Sequence, residues 1–279
     1  MSIQEKVESL LSSVKSSHSV LCQDLDAEEP SVSINPDTVF SSASVIKVPI
    51  LMTLISHAQA LQSGNPAAVT CNIVGRGFPD APPPCKTTPA ASLDSFIDVT
   101  EILDDTQVFE YGPRPASLRE LAVWMTVLSD NTSTNALIDA LGFDAVNGFI
   151  ASLGLRQTAL RRKMLDFASR AAGIDNETSA RDMFVLFRHM FREGRREFSE
   201  AADILRRQRA HDKLTRYIWE DATLAHKTGG LDYLTHDAGV FSFKGKDVFA
   251  GVFLWDTEDI KGDDRLIGRV GRLIYDYYA

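Results

Sequence analysis

The stretch SSASVIKVPILMTLI, Ser41–Ile55, sets a serine three residues ahead of a lysine at the mouth of a long apolar run. On a helix, residues i and i+3 share a face, which would bring the Ser44 hydroxyl within hydrogen-bond reach of the Lys47 amine. A neutral lysine can take a serine's proton, provided that desolvation and neighbouring positive charge lower its pKa. The spacing alone is cheap, since Ser12-Ser13-Val14-Lys15 repeats it in a polar helix. Context separates the two copies: Lys47 runs into Val48-Pro49-Ile50-Leu51-Met52, a segment expected to be buried, and a buried lysine without a task is rare. Pro49 predicts a distorted first turn or a kink.

Working outward, Ile3, Val7, Leu10, Leu11 and Val14 recur at helical spacing and predict an amphipathic first helix. Two short strand-like runs follow at 19–25 and 31–34. Near the far end, YLTHDAGVFSF (233–243) and DVFAGVFLWD (247–256) flank a Lys-Gly-Lys turn and read as a hairpin. Leu266, Ile267, Val270, Leu273, Ile274 and Tyr277 then mark a closing helix. Strands at both chain ends with helices outside them predict one sheet built from the two termini. The middle reads as helical. Ser117-x-x-Glu120 is a capping box opening a helix that runs out near Ser129, and a further helix spans about 179–194 with Gly194 as its stop. The fold class is α+β, with residues 1–56 and 215–279 forming the sheet subdomain and 57–214 a helical one. Residues 64–98 show no periodicity, hold most of the prolines and read as an irregular surface excursion.

The chain has 279 residues, 44% of them apolar and 24% charged, enough for a sizeable core. Its net charge of −9 would repel nucleic acid and anionic lipid, so neither is expected as a partner, and a small molecule or peptide is. The first fifteen residues mix charges into their apolar positions and lack the uninterrupted stretch of a secretory signal or membrane span. A cytoplasmic protein is expected, exported only if a leader has been removed. Three cysteines, Cys22, Cys71 and Cys85, cannot all pair; a Cys71–Cys85 bridge would fit an exported chain. None has a metal-ligand spacing, so no metal is expected.

Two further motifs carry chemistry. Ser129-Asp130-Asn131 places three polar side chains on the connection between two apolar helices, where capping needs only one of them. Lys227-Thr228-Gly229-Gly230 opens the strand pair near the C-terminus. There a lysine and a hydroxyl can bind a carboxylate, and the glycines leave backbone N–H groups open to a ligand. Ser-x-x-Lys, Ser-Asp-Asn and Lys-Thr-Gly, in this order, are the signature set of penicillin-binding proteins and class A β-lactamases.

The chain therefore resembles the serine β-lactamase and penicillin-binding superfamily, most closely its class A branch, over nearly its whole length apart from 64–98. The resemblance implies an antiparallel five-stranded sheet flanked by terminal helices beside an all-helical subdomain. It implies a monomeric serine hydrolase, associated with antibiotic resistance, that needs no cofactor and cleaves a β-lactam or ester through an acyl-enzyme. Ser44 would be the nucleophile and Lys47 its activator, with Ser129 the proton relay. Asn131 would hold the substrate amide, Lys227 and Thr228 its carboxylate, and the N–H groups of Ser44 and Gly230 the oxyanion. Tyr111, in FEYGP, is a candidate for the substrate-stacking wall.

The pattern breaks in one place. Class A enzymes clear the acyl group with a glutamate in Arg-x-Glu-x-x-Leu-Asn, and the matching register here is Arg162 to Ala168, with Met164 at the glutamate position. Methionine offers no proton acceptor of use, so deacylation is expected to be impaired or altered. Asp166 is the nearest replacement carboxylate. Rival readings are an esterase or D-amino-acid peptidase, and a sensor or trap that acylates once and stops.

Overall fold

The computed structural model describes residues 1–62 and 92–279. Cys71, Cys85 and most of the irregular excursion lie outside the described residues. The chain divides into two compact units, Met1–Ile46 with Arg156–Thr158 and Asn176–Ala279, and Lys47–Leu155 with Ala159–Asp175.

The first unit opens with α1 (Ile3–Leu11), started by a full capping box between Ser2 and Glu5. β1 (Ser17–Asp24), β2 (Val32–Ile34) and β3 (Phe40–Ser41) follow. After the second unit's insertion come β6 (Glu177–Thr178), α7 (Ala180–Phe191), α8 (Ser199–Arg206), β7 (Thr223–Leu231), β8 (Leu234–Phe243), β9 (Lys246–Trp255) and α9 (Ile260–Tyr278). The sheet is antiparallel with strand order β2-β1-β9-β8-β7, so the two chain ends pair through β1 and β9. β3 and β6 form a separate two-residue ladder.

Both faces of this sheet are covered, which is why β9 reads as an unbroken apolar run. Val248, Ala250, Val252 and Leu254 share a core with Ile3, Val7 and Leu11 of α1 and Leu266, Ile267, Val270 and Ile274 of α9. Phe249, on the alternate face, meets Phe184 and Phe187 of α7, both at 5.7 Å between ring centroids. Each of these valine, leucine and isoleucine side chains contributes about 1.5–3 kcal/mol on burial.

The second unit holds α2 (Lys47–Gln62), the β4–β5 ladder (Phe96–Val99 with Arg114–Ser117), α3 (Leu118–Val127), α4 (Asn131–Leu141), α5 (Phe143–Ser152) and the short α6 (Phe167–Ala171). The Ser117–Glu120 capping box opens α3 as expected. Val48, Ile50, Leu51, Met52, Leu54 and Ile55 of α2 are all buried, so the helix carries no polar face along this stretch.

Four expectations change. The subdomain boundaries of 56/57 and 214/215 move to 46/47 and 175/176, because α7 and α8 pack on the sheet and not with the helices before them. The middle is not all-helical, and the excursion is not irregular to its end: Leu93 is buried, and Phe96–Val99 is a strand held by β5. Gly194 does not stop α7, which is capped at Arg192. A Cβ at Gly194 would lie 2.5 Å from the Phe198 ring, so the glycine serves a close approach.

Candidate active site

Within the second unit, Lys47 is 1% exposed. Its Nζ donates to the Ser129 carbonyl at 2.7 Å and to Asn131 Oδ1 at 2.8 Å, and lies 3.2 Å from Ser129 Oγ. Two of the sequence motifs thus meet at one amine. Burial pushes the Lys47 pKa down to about 7, against the pull of Asp130 and Asp105 toward the charged form. Carbonyl oxygens only accept, so in the neutral amine the two N–H groups serve Ser129 O and Asn131 Oδ1.

The connection that presents Ser129 is strained and braced. Ser129 has a φ of 57°, which costs about 1–3 kcal/mol outside glycine. Asp130 caps α4, its Oδ1 accepting from the backbone N–H and hydroxyl of Ser133 at 2.6 and 2.7 Å. Its Oδ2 accepts from Thr106 Oγ1 at 2.6 Å. The middle residue of the motif is therefore the capping residue, which leaves its neighbours' side chains for other tasks.

Within the first unit, Ser44 sits half-buried on a 3-10 turn, Ala43–Ile46, that runs straight into α2 and supplies the distortion Pro49 predicts. Ala43, one residue before the serine, has a φ of 43°. The turn packs on β7, where a Cβ at Gly229 would lie 3.3 Å from both Ala43 Cβ and Ser42 O. The nucleophile candidate and the Lys227–Gly230 motif are therefore neighbours through a glycine-sized gap. Lys227 is buried and donates to the Thr228 carbonyl at 2.8 Å; Thr228 is half-buried and Gly230 exposed. β7 is the outer strand of its sheet.

A buried polar frame holds that strand. His226 Nδ1 donates to Asp237 Oδ1 at 2.7 Å, and Asp237 Oδ2 accepts from the Leu214 N–H at 3.1 Å. Lys213 donates to the Gly229 carbonyl at 2.9 Å. His236 Nε2 donates to the Ser41 carbonyl at 2.9 Å, and burial pushes its pKa down to about 4. His236 and Asp237 thus belong to the interior of the first unit, a point the sequence left open.

A model of the beta-lactamase enzyme family matches residues 2–66 and 90–278. The chain belongs to that family. It is similar to a β-lactamase of Sphaerobacter thermophilus at 21% identity, over 99% of this chain and 97% of that one, with a TM-score of 0.78. A β-lactamase of Chitinophaga pinensis matches at 21% identity, over 99% of each chain, with a TM-score of 0.82. A mutant of PBP-A, solved as its acyl-enzyme complex with penicillin G, matches at 24% identity over 99% and 96% of the chains, with a TM-score of 0.77. At these identities the likeness is one of fold. No curated protein matches the chain.

In this β-lactamase-family chain, the loop that carries Met164 is clamped by two asparagines. Asn147 exchanges two hydrogen bonds with the backbone of Leu160, at 2.8 and 2.9 Å. Asn135 does the same to Met164, at 2.8 and 3.2 Å. Arg162 and Asp175 join the loop's ends at 2.6 Å. The Met164 side chain is buried, and Leu165 beside it has a φ of 60°. Asp166 caps α6: its two oxygens accept from the Ser169 backbone N–H at 3.0 Å and hydroxyl at 2.6 Å, which hold its carboxyl below the usual range. That makes it a weaker base, and capping accounts for its presence. Tyr111 is 98% exposed and so is no core residue.

Sequence reasoning missed Asn135 and Asp105. Asn135 stands four residues after Asn131 in α4, on the same helix face, and that spacing is a usable signal. Asp105 accepts from Asn131 Nδ2 at 2.6 Å and carries no motif.

Proposed function

We propose that this chain is a serine hydrolase that opens a β-lactam or a related strained amide or ester through an acyl-enzyme on Ser44, and clears that acyl group slowly. The observation that carries the reading is the buried Lys47 amine, neutral for about half its population near pH 7 and wired to Ser129 and Asn131.

In this mechanism Lys47 accepts the Ser44 proton as Oγ bonds to the carbonyl carbon. The oxyanion is met by the N–H groups of Ser44 and Gly230, each such donor being worth about 3–4 kcal/mol in acyl transfer. When the carbon–nitrogen bond breaks, the Ser129 hydroxyl gives its proton to the leaving nitrogen and is reprotonated by Lys47 across their 3.2 Å contact. Lys47 returns to neutral, and the proton count closes. Asn131 orients the substrate's side-chain amide, and Lys227 with Thr228 binds its carboxylate.

Deacylation needs a water and a base. Met164 supplies no base, and Asp166 is engaged in capping. General-base catalysis is worth about 10²–10⁴-fold, so a long-lived acyl-enzyme is expected. This favours a penicillin-binding trap over an efficient lactamase as the working form.

Mass spectrometry after mixing with benzylpenicillin tests the proposal. An adduct of the whole penicillin mass on Ser44, persisting for minutes or longer, is the expected result. Rapid return to the free mass would mark an efficient lactamase with another base. No adduct, together with hydrolysis of a simple aryl ester, would replace the reading with an esterase.

A further inference from the structure

We propose that Asp105 is a positioning and specificity-determining residue that selects substrates whose acyl side chain carries an ammonium group. The inference rests on the acyl-enzyme reading and adds the substrate class.

Asn131 can help a substrate only if its amide is turned the right way. Its Oδ1 accepts from Lys47 at 2.8 Å, and its Nδ2 donates to Asp105 Oδ2 at 2.6 Å. The Asp105 carboxylate only accepts and Lys47 directs an N–H at Oδ1, so each end of the amide meets its complement, and flipping it would set Oδ1 against a carboxylate. Of the two Nδ2 hydrogens, one is spent on Asp105 and one remains for a substrate carbonyl.

That geometry also locates a charge. Asp105 is exposed, on the segment between β4 and β5, one hydrogen bond away from the group proposed to hold the substrate's side-chain amide. Whatever is attached beyond that amide lies within several ångström of the carboxylate. At the dielectric of a surface site, a unit charge there is favoured or opposed by about fivefold to tenfold. An ammonium gains and a carboxylate loses. Within the second unit Asp105 also draws Lys47 toward its charged form, so the same carboxylate tunes the base.

The test uses three penicillins on one nucleus: ampicillin with an α-ammonium, benzylpenicillin without charge and carbenicillin with an α-carboxylate. Acylation rates of Ser44 are read by mass spectrometry for the native chain, Asp105→Asn and Asp105→Ala. Asparagine keeps an acceptor for Asn131 and removes the charge; alanine removes both. The ratio of ampicillin to carbenicillin rates is expected to fall about 25-fold to 100-fold in Asp105→Asn, with the native ratio reduced by high salt and the variant ratio indifferent to it. Asp105→Ala is expected to lose the ratio and to slow benzylpenicillin as well, because Asn131 is released. The pH midpoint of acylation should move down in Asp105→Asn, since Lys47 loses a partner that favours its charged form. An unchanged ratio in Asp105→Asn overturns the inference and leaves the acyl-enzyme reading standing. Absence of any adduct from all three penicillins in the native chain overturns both.

Discussion

Asn135 grips Met164 by both backbone groups, its Oδ1 accepting from the Met164 N–H at 2.8 Å and its Nδ2 donating to the Met164 carbonyl at 3.2 Å. The residue is held as firmly as a catalytic one, and only its side chain lacks a catalytic group. A loop position fixed in this way accepts a new side chain without a new backbone. Met164→Glu is therefore expected to shorten the lifetime of the benzylpenicillin adduct by about 10²-fold or more, the scale of a general base supplied where none stood. Asp166→Asn keeps the α6 cap, because asparagine caps as well as aspartate does, and is expected to leave that lifetime unchanged. Time-resolved mass spectra of the adduct check both. A Met164→Glu adduct as persistent as the native one would mean that the loop does not present this position to the acyl group.

Lys47 sets the pH dependence. Its folded pKa of about 7 means that the proton-accepting form grows in between pH 6 and pH 8, so acylation is expected to rise through about pH 7 and level off above pH 8. Stability follows from the same shift. Between about pH 7 and the ordinary lysine value the unfolded chain binds a proton that the folded chain does not, so this group makes stability increase with pH over that window. Lys47→Met is expected to abolish acylation and to flatten that increase. A native acylation rate that is level from pH 5 to pH 9 would remove Lys47 as the base.

The part of this site that local rules govern was legible in the sequence. Ser117 and Glu120 cap α3 as their spacing demands, the β8–β9 hairpin forms around its Lys-Gly-Lys turn, and Ser129 and Asn131 reach Lys47 as the motif order implied. What stayed hidden depends on tertiary partners. Nothing local assigns α7 to the sheet, because Phe184 and Phe187 bury equally well against any apolar surface until Phe249 is in place. Asp105 looks like any solvated acid until Asn131 arrives beside it. Asp166 looks like a spare base until Ser169 folds back to occupy it.

The two glycines of the Lys227 motif should respond differently to the same change. At Gly229 an added Cβ would press on Ala43 Cβ, Ser42 O and His236 Cβ at 3.3–3.4 Å, displacing the turn that carries Ser44 by a few tenths of an ångström. At Gly230 an added Cβ would meet no atom of the described residues within 4 Å, its chain neighbours aside. Gly229→Ala is expected to cost about 1 kcal/mol of stability and to slow acylation at least tenfold, a small overpacking penalty with a large geometric effect. Gly230→Ala is expected to leave the melting temperature within about 1 °C, the limit for a surface change without a packing role. Thermal melts alongside acylation rates separate the two, and equal melting losses would contradict the packing account.

His236 supplies an acid-sensitive joint. With Nε2 donating to Ser41 O, its Nδ1 is buried and has no hydrogen-bond partner among the described residues, so a second proton is disfavoured there. Burial accordingly lowers its pKa to about 4, with Lys213 adding repulsion. The unfolded ring protonates near its ordinary value while the folded ring stays neutral, so stability is lost as pH falls from about 6.5 to about 4. Between pH 7 and pH 5 the native chain is expected to lose about 2 kcal/mol more than His236→Gln, in which the amide can still donate to Ser41 O but cannot titrate. Urea unfolding at the two pH values measures the difference. Parallel losses in the two proteins would assign the acid sensitivity elsewhere, whereas the expected gap would tie the anchoring of the Ser44 turn to the protonation of one buried ring.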